Sequence, residues 1–348
     1  FFSIVCGIVS LSDDVSISRL GIKTLLLYTI TTVIAISLGL LFSSFMNYEP
    51  IEMKSLDNVV NIENIETDGN IFPNNIFRSL SDGNIIHLLI FAVLIGISAA
   101  RIKNKIKTFI QYFFDFNDVI NELVKLIISF TPIAVFCILA KTFSTQGVET
   151  IMSLAGYFFT VVFVLIFHFL FSFSILIKSF TALDPIKFFQ NLKDVVIFTF
   201  STSSSSASIP FTLKAAEEKY GIDKSISTFT VPLGATINMD GTAIMQGCAT
   251  FFLASLYGID LGINEILTIV ITATIASIGT AGIPSAGIIM LTVIFTQIGI
   301  PLEGITLLLG VDRLLDMMRT SVNVSGDLCI SCVIASSENK INEKVFNS

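Results

Sequence analysis

The residues best equipped for chemistry lie near the C-terminus, in the stretch Asp312–Asp327, DRLLDMMRTSVNVSGD. It holds three carboxylates, two arginines, a threonine and an asparagine inside an otherwise apolar chain. Wound as a helix at about 100° per residue, it places Asp312, Asp316, Arg319, Thr320, Asn323 and Asp327 in one sector roughly 100° wide. Leu314, Leu315 and Ser321 face away. Charges in a membrane-embedded helix are expensive and face a bundle interior, a cavity or an ion path. The competing readings are a soluble amphipathic helix, or an Asp316–Arg319 pair that only braces the bundle.

A second polar stretch, GATINMDGT at Gly234–Thr242, interrupts the apolar run Phe229–Tyr257. An asparagine, an aspartate and two glycines there predict local unwinding. Freed carbonyls together with Asn238 and Asp240 would form a hard-oxygen site for a small cation. The alternative is a glycine kink with a buried asparagine bonded to a neighbour.

Two broken apolar segments must position these stretches. Val195–Leu213 carries TSSSSASIP at Thr202–Pro210, and the uncharged segment Ile266–Leu302 carries GTAGIPSAG at Gly279–Gly287. Each half falls short of the ~20 residues that span a bilayer, so both segments read as hairpins that enter and leave on one side. Asn238 follows Pro210 by 28 residues, and Asp312 follows Pro284 by 28. A hairpin followed by a polar span therefore occurs twice at one offset, once from each face, the inverted repeat of secondary transporters.

Composition agrees with a polytopic helical membrane protein. The 348 residues are 53% hydrophobic and 14% charged, with a mean hydropathy of +0.83. A soluble protein carries about a quarter charged residues. A net charge of −7 argues against a nucleic-acid partner. Five scattered cysteines give no disulfide framework, and Cys329/Cys332 read as packed thiols. His87 and His168 read as packed side chains. No nucleophile–base pair or metal cluster suggests an enzyme.

Residues 1–12 read as the end of a truncated span, 24–47 and 151–177 as full crossings, and 109–140 as one long helix bent at Pro132, with Glu149 in the loop that follows. The basic sites Arg19/Lys23, Arg101–Lys107, Lys178/Lys187/Lys193, Lys214/Lys219/Lys224 and Lys340/Lys344 mark the cytoplasmic side.

Four motifs in order (SSSS at Ser203–Ser206, NMDGT at Asn238–Thr242, SIGTAGIPSAG at Ser277–Gly287 and DMMRTSVNVSGD at Asp316–Asp327) resemble the dicarboxylate/amino acid:cation symporters, the glutamate/aspartate transporter family. The resemblance runs along nearly the whole chain. It implies an all-α elevator-type transporter with inverted repeats, two re-entrant hairpins and a broken transmembrane helix, assembled as a homotrimer in the plasma (cell inner) membrane. By resemblance, 13–47 is a transport-domain span, 48–84 an extracellular loop leading to the scaffold, 85–140 scaffold helices and 151–180 a transport-domain span. Residues 184–218 would form hairpin 1, 223–257 the broken span, 263–298 hairpin 2 and 302–336 the substrate-binding span.

The resemblance also assigns roles. Arg319 would hold the side-chain carboxylate of glutamate or aspartate and Asp316, aided by Thr320, the amino group. Asn323 and Ser205 would take the α-carboxylate, with Ser203, Ser204, Thr242, Ile283 and Gly287 completing the pocket. A guanidinium and a carboxylate one turn apart suit such a two-ended ligand. Three sodium positions are implied: Gly234, Asn238, Asn323 and Asp327; Thr236, Ser277, Ile278 and Thr280; and Tyr28, Thr31, Thr32, Asn238 and Asp240. Some family members carry an extra arginine where Ser203 stands and others where Met317 stands; this chain has neither, but has Arg313 one turn before Met317. The implied function is sodium-coupled uptake of L-glutamate and L-aspartate without a further cofactor. The alternatives are a proton-coupled glutamate or C4-dicarboxylate carrier and, in another class, an ion channel.

Overall fold

The computed structural model describes residues 1–2, 5–6, 9, 15–46, 48, 75–81, 85–128, 130, 133, 136–137, 140, 148–278, 282 and 285–347. The described chain is helical; its β pairing, among these residues, is the isolated bridge Ile222–Ile341. In chain order the helices are α1 (Val15–Ser44), α2 (Ile76–Ser81), α3 (Ile85–Arg101), α4 (Lys107–Ile128), α5 (Val148–Phe167), α6 (Phe173–Phe180), α7 (Pro185–Thr202), α8 (Ser205–Glu218), α9 (Lys224–Ile237), α10 (Asp240–Leu256), α11 (Ile263–Ile278), α12 (Ala286–Ile298), α13 (Ile305–Ser337) and α14 (Glu343–Phe346).

Local chemistry sets many of these boundaries. Asp184 accepts the Ile186 N–H at 3.1 Å and Pro185 opens α7, so capping and a pre-set φ start the helix together. Asp223 caps α9 through the Ser225 N–H at 2.9 Å. Ser203, at φ 50°, turns the chain out of α7, and Ser204 caps α8 through the Ala207 N–H. The serine tract is thus a helix stop followed at once by a helix start. α7 packs on α8 and α11 on α12, giving two packed helix pairs.

α10 and α13 form the centre. α10 is buried along nearly its whole length and packs on α1, α5, α11, α12 and α13. α13 contacts α5 to α10, and its residues 319–335 are all buried. This explains why Leu315 and Ser321, off the polar sector, are buried too, while Leu314 is 58% exposed. A second, smaller cluster joins Val5, Val9, Ala92, Ala99 and Ile110, with Ile95, Ile106, Phe113 and Phe114 against it.

Two runs, Leu20–Ser44 and Met152–Phe180, are long and apolar enough to cross a membrane. The second is not one regular α-helix: a π-helical turn, His168–Ser172, separates α5 from α6. Two expectations need adjustment. Glu149 lies in the first turn of α5 rather than in a loop, and the helix expected over 109–140 is described as α4, Lys107–Ile128. The Pro132 bend, most of the 48–84 connection and much of 1–12 lie outside the described residues.

Candidate functional site

The charged stretch of α13 is buried. Arg319 is 1% exposed and lies between two carboxylates of its own helix. Nη1 is 2.9 Å from Asp312 Oδ1, and Nη2 donates to Asp316 Oδ1 at 2.7 Å. Spacings of seven and three residues put both acids beside the guanidinium. Arg319 Nε has no hydrogen-bond partner among the described residues, so a donor remains for a ligand. The other oxygen of Asp316, Oδ2, accepts the Ser285 N–H at 2.9 Å, and Nη1 of the half-buried Arg313 approaches it at 3.8 Å. Ser285 opens α12 in a left-handed conformation, φ 59°. Asp316 therefore links the polar span to the tip of the second helical pair.

The two tips meet. Ser204 Oγ donates to the Gly282 carbonyl at 2.8 Å, and the Ser206 N–H reaches the same carbonyl at 3.1 Å. Ser203 Oγ is buried and unpartnered among the described residues, and Ser205 is buried at the start of α8. Thr320 Oγ1 donates to the Asp316 carbonyl at 2.8 Å. Gly287 lies against Thr242: a Cβ added there would come 2.5 Å from Thr242 Cγ2. Ile283 lies outside the described residues.

One turn below the charge cluster lies an oxygen cluster. The backbone break falls at Asn238–Met239, between α9 and α10, where the sequence predicts unwinding. Asn238 Nδ2 donates to Asp327 Oδ1 at 2.9 Å and to the Asn323 carbonyl at 3.3 Å. Asn323 Oδ1 accepts the Gly241 N–H at 2.7 Å, and its Nδ2 reaches toward Thr242 Oγ1 at 3.4 Å. Gly234 is required by contact: a Cβ there would lie 2.6 Å from Asp327 Cγ and 2.7 Å from Tyr28 Oη. Gly234, Asn238, Asn323 and Asp327 thus come together, with Tyr28 at their edge.

The third predicted set is joined in part. Thr32 Oγ1 donates to Asp240 Oδ1 at 2.9 Å, joining α1 to the break. Tyr28 Oη donates to the Thr230 carbonyl at 3.0 Å, and Thr31 Oγ1 to the Tyr28 carbonyl at 3.0 Å. Asp240 is 0% and Asp327 1% exposed. A buried carboxylate without a cation is costly. Asn238 Oδ1 is a buried acceptor with no partner among the described residues. Two carboxylates, an orphaned amide oxygen and hydroxyls are the hard oxygen donors that suit a cation such as sodium. The second set is less complete: Thr236 and Ser277 donate to carbonyls of their own helices, α9 and α11, which touch. Thr280 and the Ile278 side chain lie outside the described residues.

Three neighbours went without an assigned role in the sequence. Asp312 shares the polar sector, and only its pairing with Arg319 distinguishes it. His168 is fully buried, but it is more than packing: its Nε2 lies 3.3 Å from Asp240 Oδ2, and the π-helical turn begins at this residue. Gln246 Nε2 faces the Gly287 carbonyl at 3.4 Å. The signal for Gln246 was a lone amide in an apolar helix; for His168 there was none beyond its type.

A buried charge clamp therefore lies one helical turn from a buried oxygen cluster inside an apolar helical chain. The profile of the Sodium:dicarboxylate symporter family matches residues 1–337, and the chain belongs to that family. It is 32% identical over 357 aligned residues to the "Proton/sodium-glutamate symport protein" of Bacillus caldotenax, covering 98% of this chain and 84% of the relative. It is 39% identical over 249 residues to mouse "Excitatory amino acid transporter 3", covering 71% of this chain and 48% of the relative. Human "Excitatory amino acid transporter 2" is 37% identical over 246 residues, 70% of this chain and 43% of the relative.

Proposed function

We propose that the protein is a secondary active symporter that couples uptake of L-glutamate and L-aspartate to sodium, with no covalent chemistry. The observation that carries this reading is the junction at Asn323. Its side chain and carbonyl bond to Gly241 and Asn238, while Arg319, one turn earlier on α13, is held by two acids. The relatives are named for glutamate symport with protons or sodium and for excitatory amino acid transport, which supports this substrate class.

In this mechanism Arg319 exchanges an internal carboxylate for the substrate's side-chain carboxylate, and Asp316, so released, takes the amino group with help from Thr320. Asn323 and Ser205 take the α-carboxylate; Ser203, Ser204, Thr242, Ile283 and Gly287 close the pocket. Sodium bound by Gly234, Asn238, Asn323 and Asp327 fixes Asn323 for the substrate. A second ion at Thr236, Ser277, Ile278 and Thr280 favours the closed second tip. A third, at Tyr28, Thr31, Thr32, Asn238 and Asp240, ties α1 to the break. Substrate and ions each stabilise the same closed state and therefore raise each other's affinity.

Residues 184–218 and 263–298 act as re-entrant hairpins in a mobile unit with 13–47, 151–180, 223–257 and 302–336. Residues 85–140 serve as scaffold in a homotrimer of the plasma (cell inner) membrane, and the unit moves as an elevator. The test is uptake of radiolabelled L-aspartate into proteoliposomes. An inward sodium gradient should drive accumulation; equal accumulation with a proton gradient in sodium-free buffer refutes sodium coupling.

A further inference from the structure

We infer that the turn joining α3 to α4 is a binding surface for the headgroups of anionic phospholipids. Arg101 closes α3, Lys103 and Lys105 form a 3₁₀ turn, and Lys107 opens α4. Four bases thus crowd one tight turn of a chain whose net charge is −7. No carboxylate occurs between residues 83 and 114; the next one, Asp115, lies two turns along α4. Arg101, Lys105 and Lys107 are exposed, and Lys103 is half-buried.

Local helix electrostatics account for Arg101 but not for Lys105 and Lys107. A base at the C-terminus of α3 faces the negative end of that helix, which is favourable. Lys105 and Lys107 sit at the positive end of α4, whose first turn holds no acid. Lysines there raise the potential where unpaired backbone N–H groups already do so, and a bound anion offsets both.

The apolar surroundings select the source of that anion. Ile102, Phe109 and Tyr112 flank the bases, and each is exposed, Phe109 by 53%. Bases with apolar and aromatic neighbours at one level match a headgroup–acyl boundary, where lysine stems lie along lipid and their ammonium groups reach phosphate. A free phosphate would use the bases and ignore the collar. Positive charge near an anionic leaflet strengthens binding about fivefold per base, so four together separate anionic from zwitterionic lipid clearly.

The test is native mass spectrometry of the whole chain released from nanodiscs of mixed phosphatidylglycerol and phosphatidylcholine. Wild type should retain phosphatidylglycerol preferentially. The variant R101Q/K103Q/K105Q/K107Q should lose at least tenfold of that preference. The single variant K105Q, whose topology the remaining bases preserve, should lose a few-fold. Restoring charge as R101K should leave retention near wild type. Equal retention of the two lipids by wild type, or an unchanged preference in the quadruple variant, overturns the inference. The readout needs neither substrate nor sodium, so it stands or falls apart from the transport reading.

Discussion

Replacing Gly234 with alanine sets two effects of opposite sign against each other. Gly234 lies inside α9, where helix propensity favours alanine by about 1 kcal/mol. The new Cβ, however, would lie 2.6 Å from Asp327 Cγ and 2.7 Å from Tyr28 Oη, and closer still to Asp327 Oδ1. All three residues are buried in the proposed ion cluster, so the clash is relieved by moving the carboxylate or the phenol. Forcing one methyl group into a packed interior costs about 1–3 kcal/mol. If that cost falls on the ion-bound geometry, the sodium concentration for half-maximal aspartate binding rises roughly five- to 150-fold. The assay is radiolabelled aspartate binding to purified protein across a sodium series, with thermal unfolding measured alongside. Gly258→Ala is the control: Gly258 has φ 66° and nothing within 4 Å of a new Cβ, so it should lower stability without moving the sodium midpoint. A Gly234→Ala protein with wild-type sodium dependence refutes the placement of Asp327 as an ion ligand.

Arg319→Gln leaves two buried carboxylates, Asp312 and Asp316, without their guanidinium. Breaking such a cluster costs about 3–5 kcal/mol, and acidic substrate uptake should fall beyond detection while the protein still reaches the membrane. Thr32→Val removes the hydroxyl that bonds Asp240 at 2.9 Å; a loss of about 1 kcal/mol should weaken apparent sodium affinity about fivefold, read from the same titration. Ser204→Ala deletes both the α8 cap and the bridge to Gly282. Each is worth about 1 kcal/mol, so the KM for aspartate should rise several-fold with little change in expression.

Much of the site could be read from residue types and spacing. Charges in an apolar chain must have a purpose, and a 100° step per residue places Asp312, Asp316, Arg319, Asn323 and Asp327 together without any structure. The break at Asn238–Met239 was legible because glycine, asparagine and aspartate disfavour a continuous helix there, and the serine tract because Ser204 is a natural helix cap. What stayed hidden depends on other helices. The π-helical turn at His168–Ser172 has no signature in an apolar run, so the approach of His168 to Asp240 could not be anticipated. Leu315 and Ser321 appeared to face outward only because a single helix was considered; α13 is surrounded on nearly every side. The contact between Ser204 and Gly282 joins residues 78 apart in sequence and follows from packing alone.

The account stands on the link between the charge clamp and the oxygen cluster through Asn323. The most direct test is calorimetric titration of L-aspartate into the purified protein at a series of sodium concentrations, with osmolarity and ionic strength held constant by choline. The predicted result is a Kd that falls steeply as sodium rises, with a log–log slope greater than one. A Kd independent of sodium, with aspartate still bound, would contradict it.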